Sequence, residues 1–466
     1  MLLVRALLAA LPNLALGLPP PCLDAPQLAA SHRGLVIEWI EVLPRQRVEK
    51  VGDRPVAPEG TVRTGVAHLR NTVGAVAPPT RFAWRFDGKE IHQGWTPSMA
   101  AGGAAELRWS WAELSGRHEI RFELPELGEW NSFATDAQRV RVLWESRTEA
   151  QLEAAFGSPT RWLQGELTAL HASYEAARYR DLAPQGIGER FRIDGAATFA
   201  RTEAAPTPPE FESHPDADVL VAIDEGGPVG GFHLPQYSIG HNFKIGDKGI
   251  SSRAARNALF HELGHFRGVP DLYALAIEPG AVELTGPDGA MLAVAPDPPE
   301  DLRTCTMNDH FLPLRWSEYA AAVMERKRGV ARVGFSDDPT QPFGHEWRDL
   351  PKTLRIRLRD KNGQPAAAAR VRVYRSRAKR TAEGGFERLH SVARDAVPFV
   401  EVTTGKDGRF DLTGDFLGAT LPPALRSRWL LLVIEQNGTC STRTIFGPEL
   451  NLLYWRGHRE IAELEK

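Results

Sequence analysis

Residues 261–271 read His261-Glu262-Leu263-Gly264-His265-Phe266-Arg267-Gly268-Val269-Pro270-Asp271. On a helix, positions i and i+4 lie on one face. His261 and His265 can therefore share one metal ion, and Glu262, at the edge of that face, can take a proton from a metal-bound water. The chemistry requires a helix, and the flanking residues predict one over Ser251 to Gly268. Ser251 or Ser252 can cap its start, Leu259, Leu263 and Phe266 form an apolar stripe, and Gly268 can end it in a left-handed turn. A reversal at Gly268 lets the chain fold back under the metal, so that Asp271 supplies a third ligand. Zinc accepts imidazole nitrogen and carboxylate oxygen at about 2.0–2.2 Å, and a catalytic zinc keeps its fourth position for water.

Around this stretch, residues 145–344 read as a central α+β or mixed α/β domain. Leu163, Leu167, Leu170 and Tyr174 fall on one helical face. A strand is expected around Arg190 to Ile193. The apolar run Val219–Ile223, bounded by Asp218 and Asp224, reads either as an ordinary core strand or as an edge that pairs with an extended peptide. A loop rich in Pro, Gly and Asp covers 278–300, and a last helix covers about Trp316 to Arg328.

The flanking blocks are all-β. Over 34–144, Phe82, Trp84 and Phe86 alternate and meet the hairpin signal Asp87-Gly88, then Leu107, Trp109 and Trp111 alternate, and Ile120, Phe122, Leu124, Val140 and Val142 follow. Strands of period two at this spacing predict a β-sandwich. Over 352–446, alternation in Leu354-Arg355-Ile356-Arg357-Leu358 ends at Asn362-Gly363, Val371 and Val373 alternate, and Leu430–Ile434 reads as a buried strand. Residues 447–466 form a tail without a distinct reading.

Composition sets bounds. The chain of 466 residues is 42% hydrophobic and 25% charged with net charge −3, which fits a soluble multidomain protein and gives no broad attraction to nucleic acid. Basic runs such as Arg326-Lys327-Arg328 and Arg375 to Arg380 read as solvated faces. No internal segment is long and apolar enough to span a bilayer. Residues 1–17 carry one early Arg5, an apolar stretch interrupted by Pro12 and Asn13, and small residues at Ala15 and Gly17, so a signal peptide and export are expected, an ordinary N-terminal helix being the other reading. No small residue precedes Cys22 as a lipid anchor requires. Cys22, Cys305 and Cys440 allow at most one disulfide.

The 261–271 stretch resembles the metzincin-type zinc metallopeptidases, in the variant with Asp as third ligand found in snapalysin-like enzymes. Gly268-Val269-Pro270-Asp271-Leu272-Tyr273 is also similar to a motif of immune-inhibitor-A-like secreted bacterial proteases. The resemblance implies zinc held by His261, His265 and Asp271, Glu262 as general base, and Met307, in Arg303-Thr304-Cys305-Thr306-Met307-Asn308-Asp309-His310, as the methionine of a tight turn beneath the metal; the spacing from Asp271 is 36 residues. In two respects the chain departs from the pattern: the third ligand is not His, and no Tyr directly follows Met307, leaving Tyr273 and Tyr319 as candidates for an oxyanion-side tyrosine. Glu278 and Glu283 are alternative third ligands on the thermolysin-like pattern, and Asp309 and His310 could orient a ligand imidazole. Residues 34–144 look like cell-adhesion-related immunoglobulin-like domains of bacterial surface and secreted proteins. Residues 352–446 look like a transthyretin-like or carboxypeptidase-regulatory-like sandwich. Together these imply a multidomain fold with a central α+β metzincin-like domain between two all-β immunoglobulin-like sandwiches. The expected function is that of a secreted, periplasmic or cell-surface zinc endopeptidase acting on protein or peptide substrates. An adhesion or binding protein with a structural or degenerate metal site is the alternative.

Overall fold

The computed structural model describes residues 34–43, 62–112, 118–134, 137–200, 218–223, 236–239, 253–286, 289–294, 298–309, 312–327, 345–360, 362–380, 386–422 and 425–466. The expected signal peptide, Ser251, Ser252, His310 and Cys22 lie outside the described residues. Among the described residues no helix is long and apolar enough to cross a membrane.

The first region is a sandwich of two antiparallel sheets. Its strands are β1 (Leu35–Leu43), β2 (Val62–Asn71), β3 (Arg81–Phe86), β4 (Lys89–Trp95), β5 (Ala104–Ala112), β6 (Glu119–Leu124) and β7 (Glu129–Ala134). One sheet has the order β1-β2-β5 and the other β4-β3-β6-β7. The alternating residues Phe82, Trp84, Ile120, Phe122 and Leu124 are buried with Leu35, Ile37 and Leu69 in one core. Asp87 and Gly88 both take positive φ, 49° and 77°, as a two-residue type I′ hairpin requires.

The central region departs from the expected boundary. Val140 and Val142, expected at the end of the first sandwich, lie in β8 (Gln138–Glu145), which pairs in parallel with β9 (Phe191–Phe199) and β10 (Val219–Ile223). With β11 (Gln236–Ile239) the sheet order is β11-β10-β8-β9. In β8 Leu143 and Trp144 are buried as well as the two valines. A strand covered on both faces belongs in a parallel sheet under helices rather than in a sandwich with one wet face. Likewise Val219–Ile223 is hydrogen-bonded on both sides, to β8 and β11, so it has no free edge for a peptide.

Helices α1 (Ser146–Phe156) and α2 (Pro159–Ala176) make the crossover from β8 to β9. Ser158 caps α2 by accepting from Arg161 N, and Pro159 occupies the first turn, where its missing N–H costs nothing. Trp162, Leu163, Leu167, Leu170 and Tyr174 of α2 share one core with Leu259, Phe260, Leu263 and Phe266 of α3 (Arg253–Phe266). Helices α4 (Glu300–Arg303), α5 (Glu318–Arg326) and α6 (His345–Arg348) follow.

The C-terminal region holds β12 (Thr353–Arg357), β13 (Arg370–Arg375), β14 (Arg377–Arg380), β15 (Phe386–Ser391), β16 (Val400–Thr403), β17 (Arg409–Thr413), β18 (Trp429–Gln436) and β19 (Thr439–Phe446), then α7 (Gly447–Trp455) and β20 (Ile461–Glu465). Two sheets, β17-β12-β20 and β16-β13-β18-β19, enclose Leu354, Ile356, Val371, Val373, Leu412, Leu430 and Leu432. The tail 447–466 is part of this fold, since β20 pairs in parallel with β12. In α7, Trp455 stacks on Tyr319 at 5.6 Å, and Asn451 Nδ2 donates to the carbonyls of His345 and Asp349 at 3.1 and 3.0 Å.

The sandwich is fused to the central region through the second face of β18. Leu430, Leu432 and Ile434 point into the sandwich, while Trp429, Leu431 and Val433 belong to the central core together with Tyr374, Val392 and Phe446. The run Trp429–Ile434 is apolar at every position because both faces of the strand are covered.

Two histidines are buried where these regions meet. Burial first, then neighbouring cations, hold His345 well below the ordinary imidazole range and push His390 down to about 3. The unfolded chain takes up these protons near pH 6.5 and the folded chain does not, so their contribution to stability is present above that pH and is lost as pH falls. Urea midpoints are expected to drop between pH 7 and pH 5, with a limiting slope of about 1.4 kcal/mol per pH unit for each histidine. His390→Gln should remove its share of that slope; an unchanged slope in the variant would show that His390 is not one of its sources.

Candidate metal centre

Helix α3 ends in a Schellman turn. Gly268 lies at φ 80°, Gly268 N donates to His265 O at 2.8 Å, and Val269 N donates to Gly264 O at 3.1 Å. These two bonds define the motif. The left-handed residue reverses the chain and has two further consequences. It aims the Val269 carbonyl at His265, whose Nδ1 lies 2.7 Å away. It also returns Asp271 to the face that carries the histidines.

The three side chains converge. Asp271 Oδ1 lies 3.2 Å from His261 Nε2 and 3.0 Å from His265 Nε2, and one ligand atom from each residue falls within 4.8 Å of the others. His261 Nδ1 lies 3.0 Å from the Thr306 carbonyl. A carbonyl only accepts, so both Nδ1 atoms carry hydrogen, and each ring turns its Nε2 toward the Asp271 carboxylate. Atoms this close are held together by positive charge among them, which either a proton on an imidazole or a metal ion can supply. Ligand atoms around a tetrahedral zinc are about 3.3–3.6 Å apart, given bonds of about 2.0–2.2 Å. The donor set, its spacing and its fixed tautomers fit zinc. Among the described residues this is the group of His, Cys, Asp and Glu that could hold a metal ion.

Burial alone would lower the His261 pKa, but the hydrogen bond to Asp271, the Glu262 charge and the Thr306 carbonyl outweigh it, and the net shift is upward. Burial alone would raise Asp271, yet the two imidazoles hold it well below the usual carboxylate range. Glu262 is half-buried beside the cluster, with Oε2 4.0 Å from His265 Nε2.

Met307 is fully buried and packs against Gly264, between the two histidines. A Cβ placed on Gly264 would lie 2.4 Å from Met307 Sδ and 3.3 Å from Trp316, so the glycine between the two histidines leaves the space in which the thioether packs. The Met307 segment holds two of the three converging residues through its backbone. Thr306 O receives His261 Nδ1–H, and Met307 O accepts from Leu272 N at 3.0 Å, one residue after Asp271. Gly264→Ala is expected to cost about 1–3 kcal/mol by overpacking and to weaken metal binding as the Met307 turn shifts. A urea melt at native stability would contradict this packing.

The other candidates lie elsewhere. Glu278 and Glu283 are exposed and outside the cluster. The Tyr273 ring lies parallel to His261, with centroids 6.3 Å apart. Tyr319 is buried in α5, its hydroxyl 3.2 Å from His345 Nε2. Asp309 closes the turn after Met307, its N–H donating to Cys305 O at 3.0 Å. Cys305 is buried, its Sγ accepting from Ser317 N at 3.3 Å. Sequence reading did not single out the carbonyls of Val269 and Thr306, because backbone acceptors leave no side-chain signature. Nor did it single out Glu346, a buried carboxylate on α6 whose pKa is raised by burial and, in part, by the Asp271 charge.

No protein-family model matches the chain, and no curated protein matches it. Among solved structures, a CARDB domain from Pyrococcus furiosus is 20% identical, with a TM-score of 0.16, over 22% of this chain and 91% of that one. Bacteroides uniformis beta-glucuronidase 2 is 9% identical, with a TM-score of 0.16, over 93% of this chain and 61% of that one. A carbohydrate acetylesterase from Xanthomonas citri is 10% identical, with a TM-score of 0.14, over 82% and 95%. Likenesses this slight carry no argument about function.

Proposed function

We propose that the chain is a secreted zinc-dependent endopeptidase of metzincin type that hydrolyses peptide bonds in protein or peptide substrates. The observation that carries this reading is the convergence of His261 Nε2, His265 Nε2 and Asp271 Oδ1, with the Glu262 carboxylate beside them. A metal site that serves structure alone has no use for that carboxylate.

His261, His265 and Asp271 would hold the ion. Bound there, zinc would supply Lewis-acid polarisation of the scissile carbonyl and a water whose pKa is lowered to about 7. Glu262 takes the proton as water attacks the carbonyl and delivers it to the leaving amine, so one carboxylate serves as base and then acid. The carbonyls of Thr306 and Val269 hold the two imidazoles with hydrogen on Nδ1, so that Nε2 of each faces the Asp271 side where the ion would bind. The charge left on Asp271 offsets part of the ion's charge.

The test is metal content and cleavage of unfolded casein by the full chain. About one zinc per chain is expected, with cleavage lost on chelation and restored by zinc. Asp271→Ala should lower zinc affinity by at least about tenfold, as loss of a ligand exceeds the loss of its supports. A chain that binds no zinc sinks the reading. A chain that binds zinc and cleaves nothing leaves a structural site in a binding protein.

A further inference from the structure

We infer that the C-terminal sandwich is a clamp that holds the third ligand, Asp271, in place for metal. The inference rests on reading the His261–His265–Asp271 cluster as a metal centre.

After Asp271 the chain makes the short 3-10 helix Leu272–Leu275 and then, among the described residues before α4, has no helix or strand beyond an isolated bridge between Thr285 and Met291. A segment with so few internal bonds opens readily unless it is tied to something else. On one side Met307 O accepts from Leu272 N. On the other side the ties come from the C-terminal region, from Val392 just after β15 and from β19 of the sandwich. Val282 pairs with Val392, Val392 N donating to Ala281 O at 2.8 Å and Glu283 N donating to Val392 O at 2.9 Å. Thr442 Oγ1 of β19 donates to Ala293 O at 2.7 Å. Strand β15 packs against the 3-10 helix itself.

Side chains repeat the pattern. Leu275, Ile277, Val282 and Leu284 of the segment share a core with Val392 and Leu431 of the sandwich. Arg428, the residue before β18, lies 3.9 Å from the Glu346 carboxylate, and Glu346 is in turn within the field of Asp271. A ligand already ordered in the metal-free protein loses less freedom when metal binds, so binding is tighter. Val392 is therefore a positioning residue. It lies outside the converging group and would act on a bound ion only through Asp271.

The experiment uses the full chain with Val392→Pro, which removes one of the two bonds, and with Val392→Ile as the conservative control. Zinc affinity is read by chelator competition, and amide exchange of residues 272–285 is read in the metal-free protein. Val392→Pro is expected to weaken zinc binding about ten- to a hundredfold, the range for groups that support metal ligands, and to speed exchange in the segment about tenfold or more. Val392→Ile should match the native chain in both. A folded Val392→Pro chain with native affinity and native exchange overturns the clamp. If that variant does not fold, Thr442→Val, which deletes only the bond to Ala293, decides by the same two readings: native values in both overturn the clamp, and a smaller loss in both supports it. Failure of the native chain to bind zinc would overturn the metal reading and this inference with it. Native zinc binding with unchanged variants overturns the clamp alone.

Discussion

Glu262→Gln is expected to abolish peptide hydrolysis while leaving zinc bound. Glu262 does not belong to the converging set His261, His265 and Asp271, so the amide should leave those three donors undisturbed. The neighbouring Leu263 and the two histidines are buried, whereas Glu262 is only half-buried, so the substitution removes little packing. What it removes is a carboxylate 4.0 Å from a ligand nitrogen, beside the position where the attacking water would sit. An amide cannot accept and release a proton near neutral pH. General acid–base catalysis contributes about 10² to 10⁴-fold, and a fall in kcat of that size is expected with zinc content and unfolding midpoint close to native. A variant that keeps native kcat would move the general base to another residue. One that loses zinc would make Glu262 a ligand or a folding requirement instead.

A chain ending at Gly344 is expected not to fold. It would lack α6, the sandwich, α7 and β20. Tyr374, Val392, Trp429, Leu431, Val433 and Phe446 are all nearly fully buried within the central core. At about 1.5–3 kcal/mol for each side chain, the burial of these six amounts to roughly 9–18 kcal/mol, comparable to or above the whole stability of an ordinary domain. Asn451, which holds the backbone of α6, and Trp455, which covers Tyr319, would be lost as well. The truncated chain should be insoluble or lack a cooperative melt, while the full chain should unfold its central and C-terminal regions in one transition. A soluble fragment with a sharp melt of its own would show that the sandwich is a separable module. The single substitution Leu431→Asp, which places a charge at that junction, should cost several kcal/mol for the same reason.

Several features were legible before any fold was known. The i, i+4 spacing of His261 and His265, the apolar stripe of α3 and the glycine at 268 together describe a helix that must turn back, because each follows from local backbone geometry. The Asp87-Gly88 hairpin was readable for the same reason: only certain residues tolerate positive φ at both positions. Boundaries were less legible. Val140 and Val142 alternate as sandwich residues do, and only the neighbouring Leu143 and Trp144 hint that both faces are covered. The run Trp429–Ile434 carries the same hint, since an apolar residue at every position means a partner on each side, but it does not say which partner. The tail 447–466 has no periodicity that announces a strand, and β20 is defined by its pairing with β12.

By itself the amino-acid sequence determined the chemistry offered at residues 261–271: two imidazoles, a carboxylate beside them and a glycine placed for reversal. These are properties of residue type and short spacing, which local geometry transmits intact. Only the tertiary structure decided that Asp271 arrives within 3.2 Å of both Nε2 atoms, that Thr306 and Val269 present their carbonyls to the opposite nitrogens, and that Met307 fills the space left by Gly264. Those contacts join segments up to 45 residues apart. Their partners are backbone groups and buried surfaces, which are alike in every sequence until packing brings them together.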